Sequence, residues 1–175
     1  MKENTMLKVL SELMKNSKVT DRELGKKLGI SQLTVTRTRR KLEEEGYIKE
    51  YTIIPDFAKL GYGILAINLF KYEQTFDAPK IEKAKQILKE SLSEGPYEMV
   101  MAERGMGLGF NAILMSFHKD YASLAELKNW ARQFASFGLE EIESFLVNLN
   151  DAVRYKPLTF STLAKHLLMP EKEKE

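Results

Sequence analysis

The most chemically distinctive group in this sequence consists of four basic residues within five positions: Arg37, Arg39, Arg40 and Lys41. Three threonines share the same stretch, at positions 34, 36 and 38. Guanidinium and ammonium groups bind phosphate, and arginine and threonine side chains also contact base edges in the grooves of DNA. This combination of side chains is typical of a surface that binds nucleic acid.

The positive charge is local rather than general. The chain of 175 residues carries a formal net charge of only +2. Residues 1–50 contain 12 Lys and Arg against 8 Asp and Glu, a net charge of +4, and the other 125 residues have a net charge of −2. A polyanion responds to a local basic patch more than to the overall charge. The distribution therefore indicates that the first third of the chain carries the binding surface.

Three short helices are predicted to position these side chains. The spacing of apolar residues predicts the first helix over residues 5–16. Thr20 and Glu23 form a capping box at the start of the second helix, which ends at Gly29. The third helix follows after a turn of only three residues, 29–31. A short turn that contains glycine between two helices is typical of a helix-turn-helix.

The third helix has one side for packing and one for contact. Ser31 is its predicted N-cap, and Gly46 ends it. At about 100° per residue, three residues form a narrow stripe that packs on the first two helices: Val35, Thr38 and Leu42. The opposite side carries Leu33, Thr36, Arg37 and Arg40, with Gln32 near the exposed first turn. This side is predicted to face DNA.

An alternative interpretation treats the same charges as an ordinary solvated helix face. Glu43, Glu44 and Glu45 each follow a basic residue by four positions, which is the spacing of common surface ion pairs. For an isolated helix this alternative carries equal weight. A helix, short turn, second helix and following strand favour the nucleic-acid interpretation, and residues 47–55 are predicted to be that strand, or wing, closed by Pro55.

The remainder of the chain predicts a second domain. Residues 1–55 form the winged helix-turn-helix domain, 56–63 a linker, 64–150 the second domain, and 151–175 a C-terminal helix and tail. Within 64–150 the order of predicted elements is β-α-β-β-α-β, the first of these helices covering residues 77–95. This order is ferredoxin-like, so the fold class is α+β.

The stretch "LGKKLGISQLTVTRTRRKLEEEGYIKEYTIIPDFAKLGYG", followed by β-α-β-β-α-β, resembles the Lrp/AsnC family of transcription regulators. The resemblance implies a homodimer or higher oligomer that binds double-stranded DNA with its third helices in successive major grooves. It implies DNA contacts at Ser31, Gln32, Thr34, Thr36, Arg37, Arg40 and Lys41. The family usually has an aliphatic residue at position 39, where we expect the stem of Arg39 to cover the core edge and its head to reach a phosphate.

A glycine-rich loop lies between two predicted strands of the second domain: Gly105, Met106, Gly107, Leu108 and Gly109. Its spacing does not fit a phosphate-binding loop that opens a helix. A strand-to-strand turn is the simpler interpretation. The resemblance implies that this loop borders a pocket for a small-molecule effector such as an amino acid. Met106 and Leu108 replace the polar or acidic residues common there, so an apolar ligand, or none, is the alternative.

Enzyme chemistry has little support in the sequence. The absence of cysteine excludes disulfides, thiolate metal sites and a cysteine nucleophile. G-x-S-x-G and H-E-x-x-H motifs are also missing. His118 and His166 have no partner at ligand spacing, and the methionines near position 100 are interpreted as core or subunit interface. We therefore expect no catalytic residue, metal or cofactor.

Two other functions remain open. Sirohaem decarboxylases resemble the same family but carry histidine- and arginine-rich segments, whereas "YEMVMAERGMGLG" has one arginine and no histidine. An architectural DNA-binding protein would use the same contacts without strong sequence preference. No apolar run approaches the roughly 18 residues of a membrane span, and the first residues are too polar for a signal peptide. The expected location is the cytoplasm.

Overall fold

The structure is a computed structural model that describes residues 3–73, 86, 89–90, 98–153 and 155–168. The helices are α1 (Glu3–Lys15), α2 (Asp21–Leu28), α3 (Gln32–Glu44), α4 (Tyr121–Ala131) and α5 (Leu163–His166). The strands are β1 (Ile64–Tyr72), β2 (Glu98–Gly107), β3 (Phe110–His118) and β4 (Leu139–Asn148), and a 3₁₀ helix spans Arg132–Phe137. No helix in these ranges is long and apolar enough to cross a membrane.

The chain forms two compact units. Unit 1 combines Met1–Ile54 with Tyr155–Glu175, and unit 2 is Pro55–Arg154. Residues 155–168, within the predicted C-terminal helix and tail of 151–175, are thus part of unit 1. Residues 56–63, expected to be a linker, are part of unit 2, because the Phe57 ring stacks on Phe117 of β3 with centroids 3.8 Å apart.

Unit 1 is built around the three predicted helices. Its core consists of six buried apolar side chains: Met6, Val9, Leu13, Leu24, Val35 and Leu42. The capping box is present, since Thr20 Oγ1 accepts from Glu23 N at 3.2 Å and Glu23 Oε2 accepts from Thr20 N at 3.0 Å. The predictions of the second and third helices, their N-caps and the turn between them are confirmed.

The predicted strand at residues 47–55 is wrong. The segment contains no β-strand. Instead the segment is hydrogen-bonded to the last turns of α3. Ile48 N donates to Leu42 O at 3.1 Å, and the Tyr51 hydroxyl donates to Glu43 Oε1 at 2.7 Å. A strand needs a neighbouring strand to bind its N–H and C=O groups, and the described part of unit 1 offers none.

The C-terminal part of unit 1, described over residues 155–168, packs against α1. Ser11 Oγ donates to Ala164 O at 2.7 Å, and both residues are fully buried. Ser11 lies on α1 and Ala164 on α5. The predicted final helix is therefore present over four residues, and it packs against the first helix of the chain.

Unit 2 is a four-stranded antiparallel sheet with the order β2-β3-β1-β4. Helix α4 packs on one face of the sheet, where Leu124 and Leu127 contact Ala66, Phe70 and Leu114. The predicted fold class, a helix-turn-helix followed by a ferredoxin-like sheet, is confirmed. The helix predicted over residues 77–95 lies largely outside the described residues, although Gln86, Lys89 and Glu90 are helical.

A chain of polar side chains crosses the buried face of the sheet. Asn68 of β1 accepts from Ser144 Oγ at 2.7 Å and donates to Ser116 Oγ at 3.2 Å. The Ser116 hydroxyl in turn bonds His118 Nε2 at 2.8 Å. Burial lowers the pKa of His118, and the nearby Glu98 acts against that shift. Because each group has a partner, the cluster is tolerated within an apolar core.

Candidate nucleic-acid interface

Helix α3 is held by one buried stripe. Val35, Thr38 and Leu42 are fully buried, as the helical spacing predicted. Thr38 can occupy this stripe because its hydroxyl donates to Thr34 O at 2.7 Å, which satisfies the buried polar group. The stripe fixes which residues of α3 remain outside.

The turn between α2 and α3 depends on close backbone contact. Gly25 is buried in α2, and a Cβ atom at this position would lie 2.8 Å from Ile30 O. Gly29 ends α2 in the left-handed conformation, with φ +67°, where a residue with a side chain is strained. These two glycines allow the chain to reverse in three residues and to start α3 against α2.

The first turn of α3 is capped by a predicted contact residue. Thr34 N donates to Ser31 Oγ at 3.1 Å, and the two hydroxyls lie 2.8 Å apart. Gln32 next to them is exposed. Ser31 and Thr34 therefore stabilise the helix start and still lie at the exposed end of α3.

The basic residues of α3 differ in their partners. Arg40 Nε binds Glu44 Oε1 at 2.6 Å, and Lys41 Nζ binds Glu45 Oε1 at 3.3 Å. Arg37 is exposed and makes no ion pair within the described ranges. Exposed ion pairs contribute only about 0–1 kcal/mol, so a phosphate can displace the glutamates. Arg37, Arg40 and Lys41 are thus all accessible to a polyanion.

Thr36 and Arg39 are bound inside the protein instead. Thr36 Oγ1 donates to Asp21 Oδ2 at 2.7 Å. Arg39 Nε and its terminal nitrogen bind Asp21 Oδ1 at 2.9 and 2.8 Å, and the terminal nitrogen also donates to Val19 O at 3.1 Å. The expected reach of Arg39 to a phosphate is contradicted by these contacts, because its donors point towards α2. Thr36 keeps only its methyl group for an outside partner.

The electrostatics of Arg39 agree with this geometry. Burial alone would lower the pKa of Arg39, but its interactions with Tyr51 and Asp21 together raise that pKa above the ordinary value. The guanidinium carbon lies 5.9 Å from the centre of the Tyr51 ring. Sequence reasoning missed Asp21. The available signal was an arginine beside the buried stripe, since such a group requires a carboxylate nearby.

The glycine-rich loop forms the end of the β2–β3 hairpin in unit 2. Gly107 pairs with Phe110, so the turn consists of Leu108 and Gly109, whose φ values are +53° and +83°. Positive φ at both central residues is characteristic of a type I′ turn. Met106 and Leu108 are 96% and 89% exposed. The loop predicted to border an effector pocket thus presents two apolar side chains at a hairpin tip.

Residues 2–49 match the family model of winged helix-turn-helix DNA-binding domains. The HTH-type transcriptional regulator PF0250 of Pyrococcus furiosus is 40% identical over 81 residues, 46% of this chain and 54% of that protein. LrpC of Bacillus subtilis, another such regulator, is 43% identical over 61 residues, 35% of this chain and 42% of that protein. The chain spans about half the length of the curated relatives it matches.

Solved structures extend the likeness to both units. The transcriptional regulator NMB0573 of Neisseria meningitidis, solved in complex with L-Met, has a TM-score of 0.72 and 18% identity, covering 96% of this chain and 99% of that chain. PH0061 of Pyrococcus horikoshii has a TM-score of 0.65 and 26% identity, covering 90% and 98%. AsnC of E. coli also shares the fold. Residues 2–49 are thus a winged helix-turn-helix DNA-binding domain, and the fold of the two units is the one found in Lrp/AsnC transcription regulators.

Proposed function

We propose that this protein is a sequence-specific DNA-binding transcription regulator that inserts α3 into the major groove. The observation that carries this proposal is the two-sided character of α3. One side is fixed in the core of unit 1, and the other exposes Gln32, Arg37 and Arg40 after a three-residue turn. Glutamine and arginine are the side chains that read adenine and guanine edges in the major groove.

The charges of α3 support binding to a polyanion. Among the described residues, none forms an ion pair with Arg37 that DNA would have to break, and Arg40 and Lys41 release only exposed glutamates. Ser31, Thr34 and Lys41 complete the proposed contact surface around them, and Thr36 contributes its methyl group. Contacts to phosphate set the register, whereas contacts to base edges give specificity.

We also propose that the protein is a homodimer, which assembles through the sheet face opposite α4. Side chains that share this face include Ile67 and Met115, which are opposite each other in the β1–β3 register, and Phe145, opposite Ile67 on β4. Phe145 is 67% exposed. An apolar face of this kind favours contact with a second protein surface. Two copies would place their α3 helices at half-sites about 10–10.5 bp apart.

A small-molecule effector is part of the proposal. NMB0573, which shares the fold, was solved with L-Met. By family resemblance, the effector of this protein binds beside Gly105–Gly109, where Met106 and Leu108 favour a ligand with an apolar side chain. A screen of amino acids by thermal shift tests this point, and no change in melting temperature with any of them would contradict it.

The alternative functions have less support. The relatives are named as transcriptional regulators, which does not favour a sirohaem decarboxylase or any other enzyme on this fold. An architectural DNA-binding protein differs from a regulator in its ratio of specific to non-specific affinity, which is about 10³–10⁷ for regulators. The proposal places the protein in the cytoplasm with the DNA it binds.

The first prediction tests the contact surface. Bound sequences are selected from genomic fragments, and gel-shift titrations compare the selected and a scrambled duplex at the same salt concentration. We expect Arg37→Ala and Arg40→Ala each to weaken binding by about 1–3 kcal/mol if the residue reads a base. If the arginine binds a phosphate, its replacement should instead reduce by about 1 the slope of the logarithm of the binding constant against the logarithm of the salt concentration.

The matched control is Arg132→Ala. Arg132 is an exposed arginine in the 3₁₀ helix of unit 2, so its replacement removes the same charge far along the sequence from α3. Binding of the selected duplex should not change. Wild-type affinity in the Arg37→Ala/Arg40→Ala double variant would show that α3 is not the DNA-binding helix.

A further inference from the structure

One carboxylate connects the start of α2 to two successive turns of α3. Asp21 is the first residue of α2. Its Oδ2 accepts a hydrogen bond from Thr36 at 2.7 Å, and its Oδ1 binds two nitrogens of Arg39 at 2.8 and 2.9 Å. We call Asp21, Thr36 and Arg39 the Asp21 clamp.

Two members of the clamp, Asp21 and Arg39, are largely shielded from solvent, whereas Thr36 is exposed. The side chains of Arg39 and Asp21 are 18% and 21% exposed. Arg39 also donates to Val19 O at 3.1 Å and lies over the Tyr51 ring. Two nitrogens of Arg39 converge on the single oxygen Oδ1 of Asp21, and such charge-assisted hydrogen bonds are stronger than neutral ones. With its donors bound on the α2 side, Arg39 is a poor candidate for a phosphate ligand.

The clamp restrains α3 in a way that its apolar stripe does not. Thr36 and Arg39 are three residues apart and therefore lie on the same side of the helix. Two polar attachment points on that side oppose rotation of α3 about its axis, and apolar packing alone tolerates small rotations more readily because it has no directional bonds. The rotation of α3 determines where the side chains of Gln32, Arg37 and Arg40 point.

We propose that Asp21 and Arg39 are positioning residues of the DNA-binding unit, which hold α3 at the rotation needed to read base edges. This inference rests on the proposed function of α3. It changes the role of the one basic residue that departs from the family pattern: Arg39 acts on DNA through Asp21 and Thr36, not through a phosphate. Sequence specificity, rather than general affinity for DNA, is the property that the clamp controls.

Replacement of Asp21 separates a purely electrostatic effect from loss of the clamp, because the two predict opposite changes in DNA affinity. Asp21→Asn removes a negative charge next to a surface that binds a polyanion, so a purely electrostatic effect would strengthen DNA binding. Loss of the clamp would instead weaken binding to the cognate duplex. We expect roughly 2- to 150-fold weaker cognate binding, the range of energetic coupling between neighbouring residues, and little change with a scrambled duplex.

Glu44→Gln is the matched control. It also neutralises one carboxylate near α3, but Glu44 binds the exposed Arg40 and takes no part in the clamp. This variant should bind both duplexes as tightly as wild type or more tightly. The comparison separates the charge of a carboxylate from its hydrogen bonds.

Arg39→Met places an aliphatic residue where the family usually has one and tests the other end of the clamp. It should lower the ratio of cognate to scrambled affinity as Asp21→Asn does. The double variant Asp21→Asn/Arg39→Met should have a ratio no lower than that of either single variant. In Arg39→Met, the slope of the logarithm of the binding constant against the logarithm of the salt concentration could fall by about 1, with equal losses of affinity for both duplexes. That result would identify Arg39 as a phosphate ligand and overturn the inference. Tighter binding by Asp21→Asn would also overturn it.

Thr36→Val and Thr36→Ser keep the test usable if the charged-residue variants melt below the assay temperature. Thr36→Val removes only the hydroxyl that Asp21 binds and should lower specificity, whereas Thr36→Ser retains the hydroxyl and should restore it. Failure of the proposed function gives a different result. In that case wild-type protein itself shows no preference for the selected duplex.

Discussion

Hydrogen bonds within unit 1 divide the polar residues of α3 into two groups. Thr36 and Arg39 bind Asp21, whereas Arg37 extends outward without an ion pair in the described ranges. Adjacent residues on a helix point about 100° apart, so neighbours in sequence can have different roles. At the scale of single residues, proximity in the sequence is therefore a poor guide to which arginine is free to bind an outside partner.

Another residue-scale property is the buried histidine of unit 2. His118 is almost fully buried, and burial lowers its pKa below the ordinary value near 6.5. The unfolded chain then takes up a proton at this residue at a higher pH than the folded chain does. Stability should therefore decrease as the pH falls below about 6.5 towards the lowered pKa.

The measurement is urea unfolding of the full chain between pH 7.5 and pH 5, above the range in which carboxylates take up protons. We expect His118→Gln to reduce the dependence of the free energy of unfolding on pH in this interval. His166→Gln changes the other histidine, which is exposed, and should leave the dependence in place. An unchanged profile in His118→Gln would contradict the assignment.

At the scale of elements, local signals predicted most of the structure. The capping box of Thr20 and Glu23, the Ser31 cap and the buried stripe of α3 depend on residues within four positions of one another, so the sequence contains the whole signal. The four strands were likewise predicted from local patterns. Local patterns also determine where α3 exposes Gln32 and Arg37.

The features that local patterns did not predict depend on distant partners. Residues 47–55 have suitable residues for a strand, but strand formation also requires a second strand. The role of Arg39 depends on Asp21, 18 residues earlier. The placement of residues 155–168 depends on Ser11, 153 residues before Ala164. The spacing of residues within a short stretch of sequence contains no information about such contacts.

The outer face of the sheet gives the prediction that belongs to the scale of elements. Phe145→Glu places a charge on the proposed dimer face, and desolvation of an unpaired charge is costly. We expect the variant to be a monomer, or a much weaker dimer, in analytical ultracentrifugation. Tyr121→Glu, at a 72% exposed aromatic residue of α4, is the control and should remain dimeric. Monomeric wild-type protein would refute the proposed dimer.

At the scale of the whole molecule, the connectivity of the chain is the main feature. The chain completes α1 to α3, forms the sheet of unit 2 and returns to unit 1 with residues 155–168. Domains of about 60 residues bury a smaller fraction of their surface on folding than larger domains do, and they are marginally stable. The returning segment increases the buried area of a unit that otherwise has about 54 residues.

The returning segment can be tested through its buried hydrogen bond. Ser11→Ala leaves Ala164 O buried without its donor, which should lower the free energy of unfolding by about 1–3 kcal/mol. Truncation after Val153 should lower the stability of unit 1 further, since it removes the whole segment. Thermal unfolding is the measurement, and Ser17→Ala, at an exposed serine, is the control. Equal melting temperatures for Ser11→Ala and wild type would show that the contact contributes nothing.

This return of the chain has a consequence for biosynthesis. Ribosomes add about 5–20 residues per second, and the parts made first generally fold first. Unit 2 accounts for 100 residues between the two portions of unit 1. Ala164 lies 120 residues after Glu44, the end of α3, and is therefore added roughly 6–24 s later. During that interval the nascent helix-turn-helix has an uncovered α1. A polypeptide interrupted within the sheet would contain the whole proposed DNA-contact surface yet lack the segment that packs against α1.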